Sequence, residues 1–154
     1  MSSSELEADV LRGVTDVFYD YAEAADACDA VAFAALFTDD CVFDGGRPSR
    51  GRDRIERHAA TVLANFRETS HHITQIRVRS FDGRDAKVSA YVCAFNRLAD
   101  GNTFTAFARY YSTLRVDDGR WRFAEHSIVL AANVGSDGRE YLRLQRGAPV
   151  PPVV

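Results

Sequence analysis

The side chains here that could move a proton are one carboxylate in an apolar setting and four histidines. Asp26 falls late in a helical run, Tyr21-Ala-Glu-Ala-Ala-Asp26, where small residues flank its carboxylate. Taken singly, it also fits a surface aspartate near a helix end. His71 and His72 are neighbours on a strand-like run, so they point to opposite faces and cannot both ligate one metal without distortion. One should face the helix-covered side and the other the outside. A lone histidine would read as a satisfied core residue. One facing a buried carboxylate is different: the carboxylate fixes the ring's tautomer and makes it a better base near neutral pH. His126 shares a strand face with Arg122, Ala124, Ile128 and Leu130, which puts it in the same cavity or on the outer surface of the sheet. His58 lies among arginines and is expected at the surface. Tyr21, Tyr91, Asn96 and His126 are the candidates to hydrogen-bond a bound molecule. Tyr110 and Tyr111 are further strand hydroxyls.

Other chemistries lack their motifs. GxGxxG, GxxxxGK[ST], HExxH and GxSxG do not occur, so nucleotide binding, zinc proteolysis and serine hydrolysis have no support. The three cysteines, Cys28, Cys41 and Cys93, are widely spaced with no CxxC pair, which predicts reduced, partly buried thiols rather than a zinc site or disulfide framework. Cofactor-independent chemistry without a metal is the enzyme reading that remains.

These residues need a scaffold. The chain has 154 residues, 46% hydrophobic and 27% charged, with a net charge of −3. That is one soluble domain, without the basic patch of a nucleic-acid binder or the roughly 20-residue apolar run that spans a bilayer. The N-terminus lacks the basic and apolar regions of a signal peptide, so a cytoplasmic location is expected. Ser4-Glu-Leu-Glu7 has capping-box form, and apolar residues at helical spacing predict a helix over about 4–27. Asp29 should cap a second helix from Ala30 to Phe37, which Asp39-Asp40 ends. Cys41-Val-Phe43 reads as a short strand. Gly51-Arg-Asp53 opens a third helix with Ile55, Ala59, Val62 and Phe66 as its stripe and Arg52, Arg54 and Arg57 on a solvated face.

Four strand-like runs follow: Ser70–Phe81, Ala86–Leu98, Thr103–Val116 and Trp121–Val134. Asp82-Gly83, Asp100-Gly101 and Asp118-Gly119 separate them, which predicts an antiparallel meander. Helices first and then a meander is an α+β pattern. The strands are apolar on both faces. One face should cover a cavity with the helices, and the other should meet a second subunit in a homo-oligomer, dimer or trimer. The domain is expected over residues 1–146. The Pro-rich segment 147–154 is expected to be frayed or laid on a neighbouring surface.

The order of elements resembles the nuclear-transport-factor-2-like superfamily, a cone of three helices on a curved antiparallel sheet around a pocket, a cystatin-like α+β barrel. Tyr21 to Asp40, Gly51-Arg-Asp-Arg-Ile55, Ser70-His-His-Ile-Thr-Gln75 and Gly119-Arg-Trp-Arg-Phe123 resemble its SnoaL-like branch. Within the branch the pattern is similar to cofactor-free lyases: scytalone dehydratase, hexachlorocyclohexane dehydrochlorinase and bile-acid 7α-dehydratase. That resemblance implies an Asp26–His71 dyad, with His71 as base, Asp26 orienting it and Tyr21 at the place of a polar helper. Asn96 stands nearest to where scytalone dehydratase has a second histidine, and Ala25 replaces its tyrosine. The implied function is a lyase, isomerase or cyclase acting on a hydrophobic, ring-containing molecule, polyketide- or terpenoid-like. A non-catalytic binder of a hydrophobic metabolite and a structural oligomerisation module are the alternatives.

Overall fold

A computed structural model describes residues 3–46, 48–135 and 140–141. The order of elements is α1 (Ser3–Asp26), α2 (Ala30–Ala35), β1 (Phe37–Asp44), β2 (Pro48–Arg50), α3 (Arg52–Leu63), β3 (Phe66–Phe81), β4 (Asp85–Leu98), β5 (Thr103–Asp117), β6 (Arg120–Gly135) and β7 (Glu140–Tyr141). The 147–154 segment lies outside the described residues. No helix among them is long and apolar enough to cross a membrane.

β3 to β6 form the meander that the Asp-Gly turns imply. At the first turn Asp82 Oδ1 accepts the backbone N–H groups of Arg84 and Asp85, and Gly83 takes φ +95°, which a Cβ would strain. The strand order is β2-β1-β6-β5-β4-β3, with β1 parallel to β6. The sheet is curved and open, a cone rather than a closed barrel, with β3 at one edge. Curvature on that edge has a local cause. The β3–β4 register shifts between Thr74 and Arg77, where Gln75 adopts φ +52°.

Period two sorts β4 into faces. Ala86, Val88, Ala90, Val92 and Ala94 are buried against the helices. Their small side chains let α1 lie close to the sheet, bringing Val10, Val14, Val17, Phe18 and Tyr21 into the core. Gly13 sets the approach. A Cβ there would collide with Cδ1 and Nε1 of Trp121. Helix propensity alone favours alanine at such a position. The overlap reverses the sign: Gly13→Ala should cost about 1–3 kcal/mol. Urea unfolding measures that loss, and Trp121, the single tryptophan, reports the displacement by fluorescence.

Several boundaries differ from the sequence expectation. Ser4 lies inside α1 rather than at its cap. Asp29 does cap α2, accepting from Val31 N and Ala32 N, but α2 ends at Ala35 because Phe37 already pairs with Phe123 of β6. Asp39 and Asp40 are therefore within a strand. α3 stops at Leu63, so its stripe is Ile55, Ala59 and Leu63; Val62 is 38% exposed and Phe66 opens β3. Arg52 is only partly exposed. Its Nε donates to Phe37 O at 2.8 Å and its Nη1 meets Asp39 at 3.0 Å, tying α3 to β1.

Candidate active site

Asp26 is the last residue of α1, and Cys28, at φ +55°, turns the chain away. The carboxylate thus projects from a helix end toward the edge strand β3. Three donors from β3 converge on it. The His71 backbone N–H donates to Oδ2 at 3.0 Å, the Thr69 hydroxyl to Oδ1 at 2.7 Å, and His71 Nδ1–H to Oδ1 at 2.6 Å. Thr69 and His71 can both reach because residues two apart share a strand face. His72 points the other way, is exposed, and lies 3.1 Å from the Ser70 hydroxyl.

Burial pushes the Asp26 carboxyl up. The bonds from the His71 ring, the His71 backbone and Thr69, with the charge of His71, outweigh it and hold the group below the usual carboxylate range. An ionised Asp26 can only accept, so the proton of the His71–Asp26 bond sits on Nδ1. In the neutral ring that arrangement puts the lone pair on Nε2. His71 is one wall of a cavity of about 400 Å³, whose lining does not include Asp26. The ring therefore stands between the carboxylate and the cavity.

The remaining wall is mostly aromatic and aliphatic: Phe33, Phe43, Leu63 and Ile128 among others. Tyr21 and Asn96 supply polar groups. The Tyr21 ring lies edge-on to His71 with centroids 6.4 Å apart. Burial drives the phenols of Tyr21 and Tyr110 well above their ordinary range, so both stay protonated, and their hydroxyls bond to each other. Two hydroxyls sharing one hydrogen bond keep one O–H to give. With Tyr110 donating in that bond, the O–H left over is that of Tyr21, which lines the cavity. Asn96 is paired with Thr69 across β3 and β4; it spends one N–H on Ala94 O at 2.9 Å and keeps the other.

Two expected ligand contacts lie elsewhere. Tyr91 is 45% exposed on the outer face of the sheet, with the Arg109 guanidinium 5.1 Å from its ring centroid. It alternates with the inward Ala90 and Val92, so its position on β4 turns it away. His126 is fully buried behind the cavity rather than on its wall. It packs between Tyr110, Phe123 and Phe43, and its Nδ1 meets the Ser112 hydroxyl at 2.8 Å. Burial lowers its pKa to about 3, so it is a neutral core ring.

Two residues at the site are not among the candidates above. Thr69 lies two before His71 and so shares its face, a signal that was available. His58 is half-buried and lines the cavity, against the expectation of a surface site. It follows the buried Ile55 by three, which is helical spacing. A larger groove, about 550 Å³, runs between Leu6 and Val10 of α1 and Ile76 to Phe81 of β3, but it holds no histidine. Among the described residues no three His, Cys, Asp or Glu side chains gather as metal ligands.

Residues 7–127 match the SnoaL-like domain family. The chain belongs to the SnoaL-like family. No curated protein matches the sequence of this SnoaL-like chain. Its fold is similar to a proposed scytalone dehydratase from Novosphingobium aromaticivorans, at 22% identity and a TM-score of 0.82, over 96% of this chain and 99% of that one. A hexachlorocyclohexane dehydrochlorinase, LinA type 2, is similar at 18% identity and 0.79, over 96% and 100%. A proposed aromatic ring hydroxylase from N. aromaticivorans is similar at 27% identity and 0.77, over 82% and 92%. The first two likenesses are of fold.

Proposed function

We propose that this SnoaL-like protein is a cofactor-independent lyase or isomerase of a mostly apolar, ring-containing small molecule. The observation that carries the reading is the His71 ring, held by Asp26 through Nδ1 and lining an apolar cavity. The dehydratase and dehydrochlorinase among the relatives of like fold support elimination as the reaction class.

In this reading His71 Nε2 takes a proton from carbon next to a carbonyl. The electron pair moves onto the carbonyl oxygen, where the Tyr21 O–H or the free Asn96 N–H donates to the developing enolate. Collapse of the enolate expels a β-leaving group and gives the alkene. Return of the proton to another carbon gives the isomer instead. Asp26 stays ionised throughout and stabilises the imidazolium.

Proton abstraction can be read without the native substrate. A cyclic ketone such as 2-tetralone, incubated with the protein in D₂O, should exchange its α-protons, followed by NMR. His71→Ala should reduce that exchange to the buffer rate while the ketone still binds. Equal exchange by the variant would sink the proposal. Joint loss of binding and exchange would make His71 an anchor in a binding protein.

A further inference from the structure

We infer that His58 is the specificity residue at the far end of this cavity, donating a hydrogen bond to a carbonyl or carboxylate oxygen that the ligand carries remote from its reacting carbon. The inference rests on the proposed function in taking this cavity as the substrate site, and goes beyond it in saying what the distal end of the substrate must be.

Every other polar side chain named on the wall has a protein partner. Tyr21 bonds to Tyr110, Thr69 and His71 to Asp26, and Asn96 to Ala94 O. For His58 neither ring nitrogen is hydrogen-bonded to another described residue. It is held at the cavity by its place on α3 beside Ala59 and Val62, with its ring 6.2 Å from that of Phe43. Neither ring nitrogen is buried, so its N–H is hydrated in the free protein and is available to an oxygen that enters the cavity.

Its position says which part of a ligand it meets. From His58 the wall runs through Phe43 to Phe33, with centroids 6.2 Å apart at each step, then to Tyr21 at 4.8 Å and to His71 at 6.4 Å. Three aromatic rings thus link the two imidazoles along the wall, and the two are not themselves in ring contact. A ligand that reaches both places its acidic carbon at His71, apolar rings along Phe43, Phe33 and Tyr21, and an oxygen at His58. Either tautomer of imidazole has one N–H to give such an oxygen.

Three probes of one size test this: naphthalene, 2-acetonaphthone and 2-naphthoate, with binding read by fluorescence titration. The wild-type protein should bind the two oxygenated probes roughly five- to tenfold tighter than naphthalene, the worth of about one added hydrogen bond. His58→Leu should erase that preference and leave naphthalene affinity within about twofold. His58→Gln, which keeps a donor, should retain part of it. Acetonaphthone against naphthoate separates a neutral oxygen from a charged one. A preference that survives in His58→Leu overturns the inference, as does one that His71→Leu removes, since the oxygen would then lie at the dyad. Failure of all three probes to bind also overturns it. None of these readings requires turnover, so they stand or fall separately from the α-proton exchange that tests His71.

Discussion

Asp26→Asn should lower α-proton exchange by about 10³–10⁴, the scale seen when an orienting carboxylate beside a catalytic histidine is replaced by its amide. The size of the effect follows from hydrogen-bond direction. The Asp26 carboxylate can only accept, so it fixes the proton on His71 Nδ1. The asparagine amide can turn its NH₂ toward the ring, which draws the proton to Nε2. The nitrogen facing the cavity then has no lone pair to offer. Ligand binding should fall little, because Asp26 does not line the cavity. Two measurements separate this from simple misfolding. The ¹⁵N shifts of the two His71 ring nitrogens should exchange character, and probe affinity should stay within a few-fold of wild type. An unchanged tautomer with full activity would remove Asp26 from the mechanism.

His126 should make the protein's stability depend on pH where few other groups titrate. Its ring is buried and neutral, with a pKa of about 3 against 6.5 for an ordinary histidine. Between those values the unfolded chain carries the proton and the folded chain does not. Stability therefore falls as pH falls, beginning near 6.5, at about 1.4 kcal/mol per pH unit. From pH 6.5 to 4 the loss should reach roughly 3 kcal/mol by this linkage. Asp26 contributes only at the acid end. Its lowered pKa stabilises the fold above the unfolded carboxyl range, and that support is lost as pH falls through the folded value. Urea unfolding of wild type and His126→Phe at several pH values isolates the histidine, with His126→Leu as a second variant should the larger ring pack poorly. Wild-type stability minus variant stability should fall steadily toward acid, whichever protein is the more stable at neutral pH. A difference that stays constant from pH 7 to 4.5 would mean that His126 titrates alike in both states.

The parts of the fold legible in the sequence were those with local causes. Asp-Gly turns fixed the hairpins, and Asp29 marked its helix. What escaped depended on pairing between distant segments. Phe37 reads as the end of an amphipathic helix, yet it pairs with Phe123 of β6 and begins a strand. Arg52 reads as one of three solvated arginines until Phe37 O and Asp39 are brought to it. At the site, Asp26 and His71 were separated by 45 residues and came together through resemblance, not through any local rule. Tyr91 could have been set aside from alternation alone. His126 could not, because the β5–β6 register shifts between Thr113 and Leu114, before the strand carries it into the core.

The Asp26 carboxylate holds more of His71 than its ring. It also takes the backbone N–H of the same residue and the hydroxyl of Thr69, so it stitches the end of the first helix to an edge strand of the sheet. A descendant that lost the base would still have reason to keep the stitch. Aspartate at this position is therefore a record of how the fold is fastened. Under the proposed chemistry, the mark to seek in related chains is a histidine two residues after the threonine, on the wall of a cavity.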